Sequence, residues 1–527
     1  MRLPAWLAPL PDAQRMRATD RWAIEERGVP SLDLMERAGE GLARVVERVA
    51  PEGRVAVVCG KGNNGGDGLV AARLLRAAGR EVAVLGVGEL SELRGDAEAN
   101  LEALPGDPPA PFAAGALDGA AAVVDAILGT GFEGEPREPA RSAIEAINAS
   151  RAPVIAADVP SGVDASTGEV AGGAIRASAT ATFHAAKPGL WVTPGKDCAG
   201  RVHVVEIGIP EGAPAEEEVD VGLIASLVVG LVPRRGAAST KFNSGAVMVA
   251  GGSTGLTGAP CMASESAMRA GAGYVTALIP ASLNLVFEVR LLEAMTVALP
   301  DEDGALTEAA APEALDHAGR ADALVLGPGL GRRDASLAFA RRVARDAQAP
   351  VVLDADGLNA HAGRLEDLAA RGAPTVLTPH AGELGRLLGV ESAAVGERRL
   401  EHAREAASRS GAIVVLKGDD TLVAEPGGRV AVSAGGSPAL ATAGTGDVLA
   451  GVVAAMLAQG LEPFAAAAAA VWVHAEAGRI AAREQGAPEG VVARDVIAAL
   501  PEAIAAGRHA AMPEPIAAGP HTAHGGP

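Results

Sequence analysis

In "ATAGTGDVLAG", residues 441–451, Asp447 follows Gly444 and Gly446 and leads directly into an apolar helical stretch. Amides left open at a helix start stabilise a phosphoryl group in transfer, and the helix dipole there favours negative charge. A carboxylate beside them can take the proton from an attacking hydroxyl. Asp447 as a plain N-cap would account for the acid but not for the glycines around it. Other strand ends of the same half carry matching chemistry. "LKGDDTLVA" offers Lys417, Gly418 and Thr421 for nucleotide phosphates or ribose, and "TPHAGE" offers His380 and Glu383. "LGPGLGR" and "DADGLN" add Gly331, Asp354, Asp356 and Asn359. Glu383 or one of these aspartates can hold Mg2+ through water, which transfer from a nucleotide requires.

The first half has its own constellation. "CGKGNNGGDG", residues 59–68, satisfies G-x-G-x-x-G through Gly60, Gly62 and Gly65. That pattern alone is a weak dinucleotide signal. No Walker lysine follows, and Glu89 sits a little past the place for a ribose acid. The glycines allow positive φ and close backbone approach, and the helix start after them is an anion site. Asn63, Asn64 and Asp67 add more oxygen than a pyrophosphate needs, so the loop can serve a phosphate and a hard cation together. "VVDAILGTGFEGEPREP" presents Asp125 and then Gly129, Thr130 and Gly131, while "ADVPSGVDASTG" presents Asp158 and Ser161. Lys187 precedes a Pro-Gly turn. Two aspartates and an asparagine on one edge can supply oxygen ligands and an acid/base pair.

These residues need a scaffold of parallel strands. Apolar runs at 54–60, 80–88, 120–129, 152–162 and 201–210 alternate with segments long enough for crossover helices. After the Pro, Gly and Glu of 211–220 the alternation restarts at 245–252, 273–280, 321–331, 349–359, 373–383 and 412–424. Alanine-rich helices at about 446–458 and 464–484 close the second half. Near-continuous apolar strands separated by helices indicate parallel sheets covered on both faces. In such sheets ligands bind at the C-terminal strand edge, where these polar residues fall. We therefore expect two α/β domains, 1–220 and 221–506, followed by a disordered tail at 507–527.

Composition narrows the function. With 527 residues, 49% hydrophobic and 21% charged, the chain is globular and too long for one core. Aromatic residues make up only 2%, so the cores must be built from Ala, Val, Leu and Ile. A net charge of −20 argues against nucleic acid or an anionic membrane as partner. Three cysteines without paired spacing fit a reducing compartment and no structural zinc site. The N-terminus has no signal-peptide pattern, and the apolar stretch 465–478 reads as a buried helix. The expected setting is cytoplasmic.

"LMERAG" at 34–39 with "GNNGGDG", "VVDAILGTGFEGEPREP" and "DVPSGVD" resembles the N-terminal domain of NAD(P)H-hydrate epimerases, over roughly residues 10–215. The resemblance implies a Rossmann-like parallel α/β sandwich that binds hydrated NADH or NADPH and a potassium ion. It places Asn63, Asn64, Gly65, Gly66 and Asp67 on the dinucleotide, with Gly129, Thr130, Gly131, Phe132, Glu133, Gly134, Glu135 and Asp158. Potassium falls to Asn64, Asp125 and Ser161. "KFNSGAVMVAGGSTGLTGAP", "GPGLG", "TPHAGE", "KGDDT" and "AGTGDVLAG" resemble ADP-dependent NAD(P)H-hydrate dehydratases, which are ribokinase-like α/β domains, from about 235 to 505. By that resemblance Ala259, Gly331, His380 and Asp447 contact the hydrate. Lys417, Gly418, Asp419, Asp420, Thr421 and Gly446 contact the adenine nucleotide, with Mg2+ accompanying ADP.

The expectation is a fused repair enzyme and a homo-oligomer. One domain exchanges the two epimers of hydrated NAD(P)H, and the other dehydrates the S form while ADP becomes AMP and phosphate. Asp447 is the base of the dehydratase, and Asp158 leads Asp67 and Lys187 as the epimerase acid/base. The alternative is a sugar or hydroxymethylpyrimidine kinase carrying a non-catalytic N-terminal nucleotide-binding module. Sequence leaves open the oligomer size, the NADH or NADPH preference, ADP against ATP, and any transfer between sites.

Overall fold

Runs such as "VAVVC" cannot leave either face in water, and the protein resolves this with two separate sheets, each covered on both sides. The computed structural model describes residues 3–510. The first sheet has seven parallel strands: β2 (Val55–Cys59), β3 (Val82–Gly86), β4 (Ala110–Pro111), β5 (Ala122–Ala126), β6 (Val154–Ala157), β7 (Ala179–Phe183) and β8 (Arg201–Val205). Their order is β4-β3-β2-β5-β6-β7-β8. Helix α2 (Ser31–Val49) packs on α3 (Asn63–Ala77), and Gly39 makes that possible, since a Cβ there would lie 2.4 Å from Val70.

The second sheet has eleven strands. It takes β1 (Leu7–Pro9), β9 (Val221–Ile224), β10 (Ala246–Ala250), β11 (Tyr274–Pro280) and β12 (Met295–Leu299). A ribbon of β13 (Asp301–Glu302) and β14 (Ala305–Leu306) stands apart. The sheet continues with β15 (Ala323–Leu326), β16 (Val351–Leu353), β17 (Thr375–Leu377), β18 (Ile413–Leu416), β19 (Leu422–Ala424) and β20 (Val430–Val432). The order is β1-β9-β20-β19-β18-β17-β16-β15-β10-β11-β12. The strands from β18 to β12 run parallel, whereas β19 is antiparallel to both β18 and β20, β20 is parallel to β9, and β9 is antiparallel to β1. The run 412–424, read as one strand, is thus a hairpin broken at Lys417–Thr421.

Two features depart from the sequence-based outline. Strand β1 pairs with β9 in the second sheet, Leu7 opposite Ile224, although all of 1–220 was expected to form one unit. Edge pairing captures it, because Trp6 and Leu7 bury into the second core and Trp6 meets Phe464 at 5.5 Å. Residues 507–510, expected to belong to a disordered tail, instead complete the last helix, Ala493–Ala510. Residues 511–527 lie outside the described residues. The stretch 465–478 lies within the buried helix Pro463–Gln485, and no described helix is long and apolar enough to cross a membrane.

Candidate active sites

In the first half a cleft of about 960 Å³ opens at the C-terminal edge of the sheet. It is lined by the β2–α3 turn, the loop after β5, the end of β6 and Lys187. The glycine turn is used for close approach alone. A Cβ on Gly60 would sit 2.0 Å from the Ile127 carbonyl oxygen, and one on Gly65 2.2 Å from the Gly60 carbonyl oxygen. Positive φ is not required at Gly60, Gly62, Gly65 or Gly66. Gly65 and Gly66 are buried packing positions, while Asn63, Asn64 and Asp67 face the cleft.

The acid expected to lead catalysis is Asp158, held at φ 65, a backbone strain typical of functional positions. Lys187, 1% exposed, donates to Asp158 Oδ1 at 2.6 Å, to Thr182 Oγ1 at 2.9 Å and to the Phe183 carbonyl at 2.9 Å. The Thr130 amide donates to Asp158 Oδ2 at 3.1 Å, and the Thr130 hydroxyl donates to the same oxygen. Burial alone would raise the Asp158 carboxyl, but Lys187 and Thr130 hold it below the ordinary carboxylate range. Asp67 goes the other way. Burial first, then the charges of Asp158 and Asp20, push its carboxyl well above the usual value. Asp20, on helix α1 (Ala13–Glu25), also lines the cleft and was not legible as a site residue in sequence.

Beneath the cleft lies an oxygen cluster. Ser161 donates through its hydroxyl to Asp125 Oδ1 at 2.6 Å and through its amide to Oδ2 at 2.8 Å. Asn64 donates to the Leu128 carbonyl at 2.9 Å, and its own buried Oδ1 has no partner among the described residues. Burial pushes Asp125, 0% exposed, up to about 6 despite the hydrogen bonds from Ser161. Not every expected contact falls here. Phe132 and Glu133 line the cleft beside Gly129, Thr130 and Gly131. Glu135 instead pairs with Arg141 on a separate groove, and Gly134 lines neither. The loop turns away from the cleft at Gly134 and Glu135 and returns to it at Arg137.

The second site gathers at the ends of β16, β17 and β18, under the start of the helix Thr445–Ala458. No side chain caps that helix, so the first amides stay open, and its N-cap Gly444 has φ 92. A Cβ on Gly444 would lie 2.5 Å from Met262 Sδ, and one on Gly446 3.4 Å from Lys417 Nζ. Lys417 donates to Asp354 Oδ1 at 3.0 Å and approaches Glu383 Oε2 to 3.7 Å, while Thr378 donates to Asp354 Oδ1 at 2.7 Å. Burial and Asp354 push Asp447 up to about 7, with Lys417 opposing them. The Asp447 carboxyl is therefore poised to exchange a proton near neutrality.

His380 Nδ1 accepts from the Gly382 and Glu383 amides, which puts the proton of a neutral ring on Nε2. Gly331, at φ 81, donates its amide to Asp356, and Ala259 lies in the first turn of helix Gly258–Arg269. These come from the ends of the adjacent strands β10 and β15 and of β17, one strand further along past β16. Two expected nucleotide ligands are committed elsewhere. Asp420, 1% exposed, accepts from Arg399 at 2.8 Å and from the Thr193 amide of the first half at 2.8 Å. Asp419 pairs with Lys196, again across the halves. The β18–β19 turn points both carboxylates at the other domain, while Thr421 donates to the Gly418 carbonyl at 2.6 Å. Glu383 Oε2 accepts from the His380 amide at 2.9 Å in a capping box, so one oxygen of this expected magnesium ligand is already engaged. Among the described residues no group of three or more His, Cys, Asp or Glu is arranged to hold a metal.

The family described as YjeF-related protein N-terminus matches residues 31–189, and that described as NAD(P)H-hydrate dehydratase matches residues 247–502. The chain is 42% identical to the bifunctional NAD(P)H-hydrate repair enzyme Nnr of Salinibacter ruber, over 94% of this chain and 96% of that protein. It is 40% identical to the enzyme of the same name from Moorella thermoacetica, over 93% and 95%. A solved ADP/ATP-dependent NAD(P)H-hydrate dehydratase from Bacillus subtilis is 29% identical, with a TM-score of 0.46, covering 53% of this chain and 96% of that one.

Proposed function

Because the chain belongs to the bifunctional NAD(P)H-hydrate repair enzymes, an epimerase joined to a dehydratase, we propose that its two sites divide the work as follows. The observation that carries the reading is Asp447, poised near neutrality under the open amides of its helix. Asp447 takes the proton from the hydroxyl of the S hydrate as that oxygen attacks the terminal phosphoryl of ADP, releasing AMP. The Thr445 and Gly446 amides and Lys417 bind the phosphoryl oxygens. The C–O bond then breaks with loss of phosphate, and the neighbouring carbon gives up a proton to restore the ring double bond. Hydroxide leaves poorly and phosphate leaves well, which is why the nucleotide is consumed. Glu383 or a neighbouring aspartate would hold Mg2+ through water, with the nucleotide phosphates as its other ligands, and the ion would offset their charge.

In the first cleft the two carboxyls are pushed apart in proton affinity, which supports different roles for them. Asp67 gives its proton to the departing hydroxyl of the hydrate, assisted by the adjacent ring nitrogen. Asp158 takes a proton from the water that adds to the other face. Asn64, Asp125 and Ser161 fit a potassium ion, supported by the orphaned Asn64 oxygen and the buried Asp125 carboxyl. Such an ion supplies a counter-charge for Asp125. A homo-oligomer is supported by the exposed Leu285, Val289, Leu292 and Met295 at the β12 edge and is checked by light scattering.

The test is incubation with chemically hydrated NADH and ADP, following recovery of reduced-nicotinamide absorbance. Recovery is expected from the wild type. Asp447→Asn should lose it by about 10²-fold or more, with epimer exchange intact.

A further inference from the structure

Helix α1 reaches the epimerase cleft from the wrong half of the molecule. It follows β1, which belongs to the second sheet, and the matched YjeF-related region begins only at residue 31. Its start is fastened at both sides. The Ala13 amide donates to Ser166 Oγ at 3.1 Å, and Arg15 donates to the Glu218 carbonyl at 2.9 Å. Asp12 caps it by accepting from the Arg15 amide at 2.8 Å. Held this way, α1 lays Met16 and Asp20 into the cleft beside Asp67, Asp158 and Lys187.

Asp20 is half-buried, and neither it nor Asp67 makes a hydrogen bond or ion pair with any described residue. Three carboxyls therefore share one ammonium, Lys187, and the charge of Asp158 raises the proton affinity of both Asp20 and Asp67. The charged groups that bear on Asp20 are Lys187, Asp158 and His184, and Asp20 in turn bears on Asp67. Burial is the largest influence and raises its carboxyl. An unpartnered carboxyl in a cleft costs stability, and its use is to hold or pass a proton.

We infer that Asp20 is a third proton-handling carboxyl of the epimerase cleft, delivered there by a helix anchored in the dehydratase sheet. This rests on the epimerase reading above. In each exchange Asp67 has lost a proton and Asp158 has gained one. Asp20 closes the cycle by accepting the proton from Asp158 and returning it to Asp67, so no net proton is taken up.

The test uses the full chain with Asp20→Asn, Asp20→Glu, Asp67→Asn and Asp158→Asn. Epimer exchange is measured across pH, and ADP-dependent dehydration of the pure S hydrate serves as the internal check on folding. Asp20→Asn should slow exchange about tenfold or more and shift its pH profile, Asp20→Glu should restore much of the rate, and dehydration should not change. A loss with an unchanged pH profile, or no loss, overturns the inference. If Asp67→Asn and Asp158→Asn also leave exchange intact, the epimerase reading of the cleft fails instead.

Discussion

As the proposed base, Asp447 must stay unprotonated to act, and its surroundings work against that. Burial and Asp354 raise it to about 7. Dehydration should therefore fall as pH drops through about 7, while epimer exchange follows a different profile. The stability effect has the opposite sense. The folded state holds this proton more tightly than the unfolded chain, so the charge costs stability increasingly as pH rises from the ordinary carboxyl range to about 7. Asp447→Asn should then raise the thermal midpoint at pH 8, by about 1 kcal/mol or more in stability after allowing for partial exposure. Lys417→Met moves in the other direction. It leaves Asp354 and Glu383 buried without their counter-charge and should cost about 3–5 kcal/mol. It should also shift the acid limb of dehydration to higher pH, because Lys417 is what restrains Asp447.

The helix Thr445–Ala458 presents its amides only because the chain enters it through a left-handed residue in a tight space. Gly444→Ala meets both obstacles, a φ of 92 and Met262 at 2.5 Å. A cost of about 1–3 kcal/mol is expected from the backbone alone, with dehydration falling alongside thermal stability. Gly460 at the other end of the same helix also has positive φ, yet nothing lies within 4 Å of its Cβ position. Gly460→Ala should cost about 1–2 kcal/mol from the left-handed backbone alone, without the crowding met at Gly444, and leave kcat unchanged. Trimming Met262 in the Gly444→Ala background should recover part of the loss if crowding contributes.

Across the whole molecule the two halves are cross-linked close to both sites. Thr193 and Lys196 lie a few residues beyond Lys187, and they bind Asp420 and Asp419, which lie just beyond Lys417. Arg399→Ala would strand Asp420 in the interior and should cost about 3–5 kcal/mol. Both activities should decline together on thermal inactivation, since one latch serves both loops. An isolated 1–220 fragment ends before β9, the partner of β1, so α1 loses its anchor. Such a fragment should exchange epimers more slowly than the full chain, and a normal rate would show that α1 seats without the second sheet.

Much of this was legible beforehand for a local reason. Apolar runs five residues long and polar residues at their ends are nearest-neighbour patterns, so the strands, the glycine turn and Asp447 at its helix start could be read in order along the chain. The resemblance of short motifs supplied the dinucleotide and nucleotide roles proposed for these residues. What sequence could not reveal depends on which distant groups share a space. Lys187 and Asp158 lie 29 residues apart and Lys417 and Asp354 63 apart, and only packing brings each pair together. The same holds for Asp419 and Asp420, whose carboxylates look like ligands in a motif but face a partner more than two hundred residues away. Strand β1 is the extreme case, because three residues have no periodicity to read and owe their place to an open sheet edge. Proton affinity, too, was decided in three dimensions, since it depends on burial and on neighbouring charge.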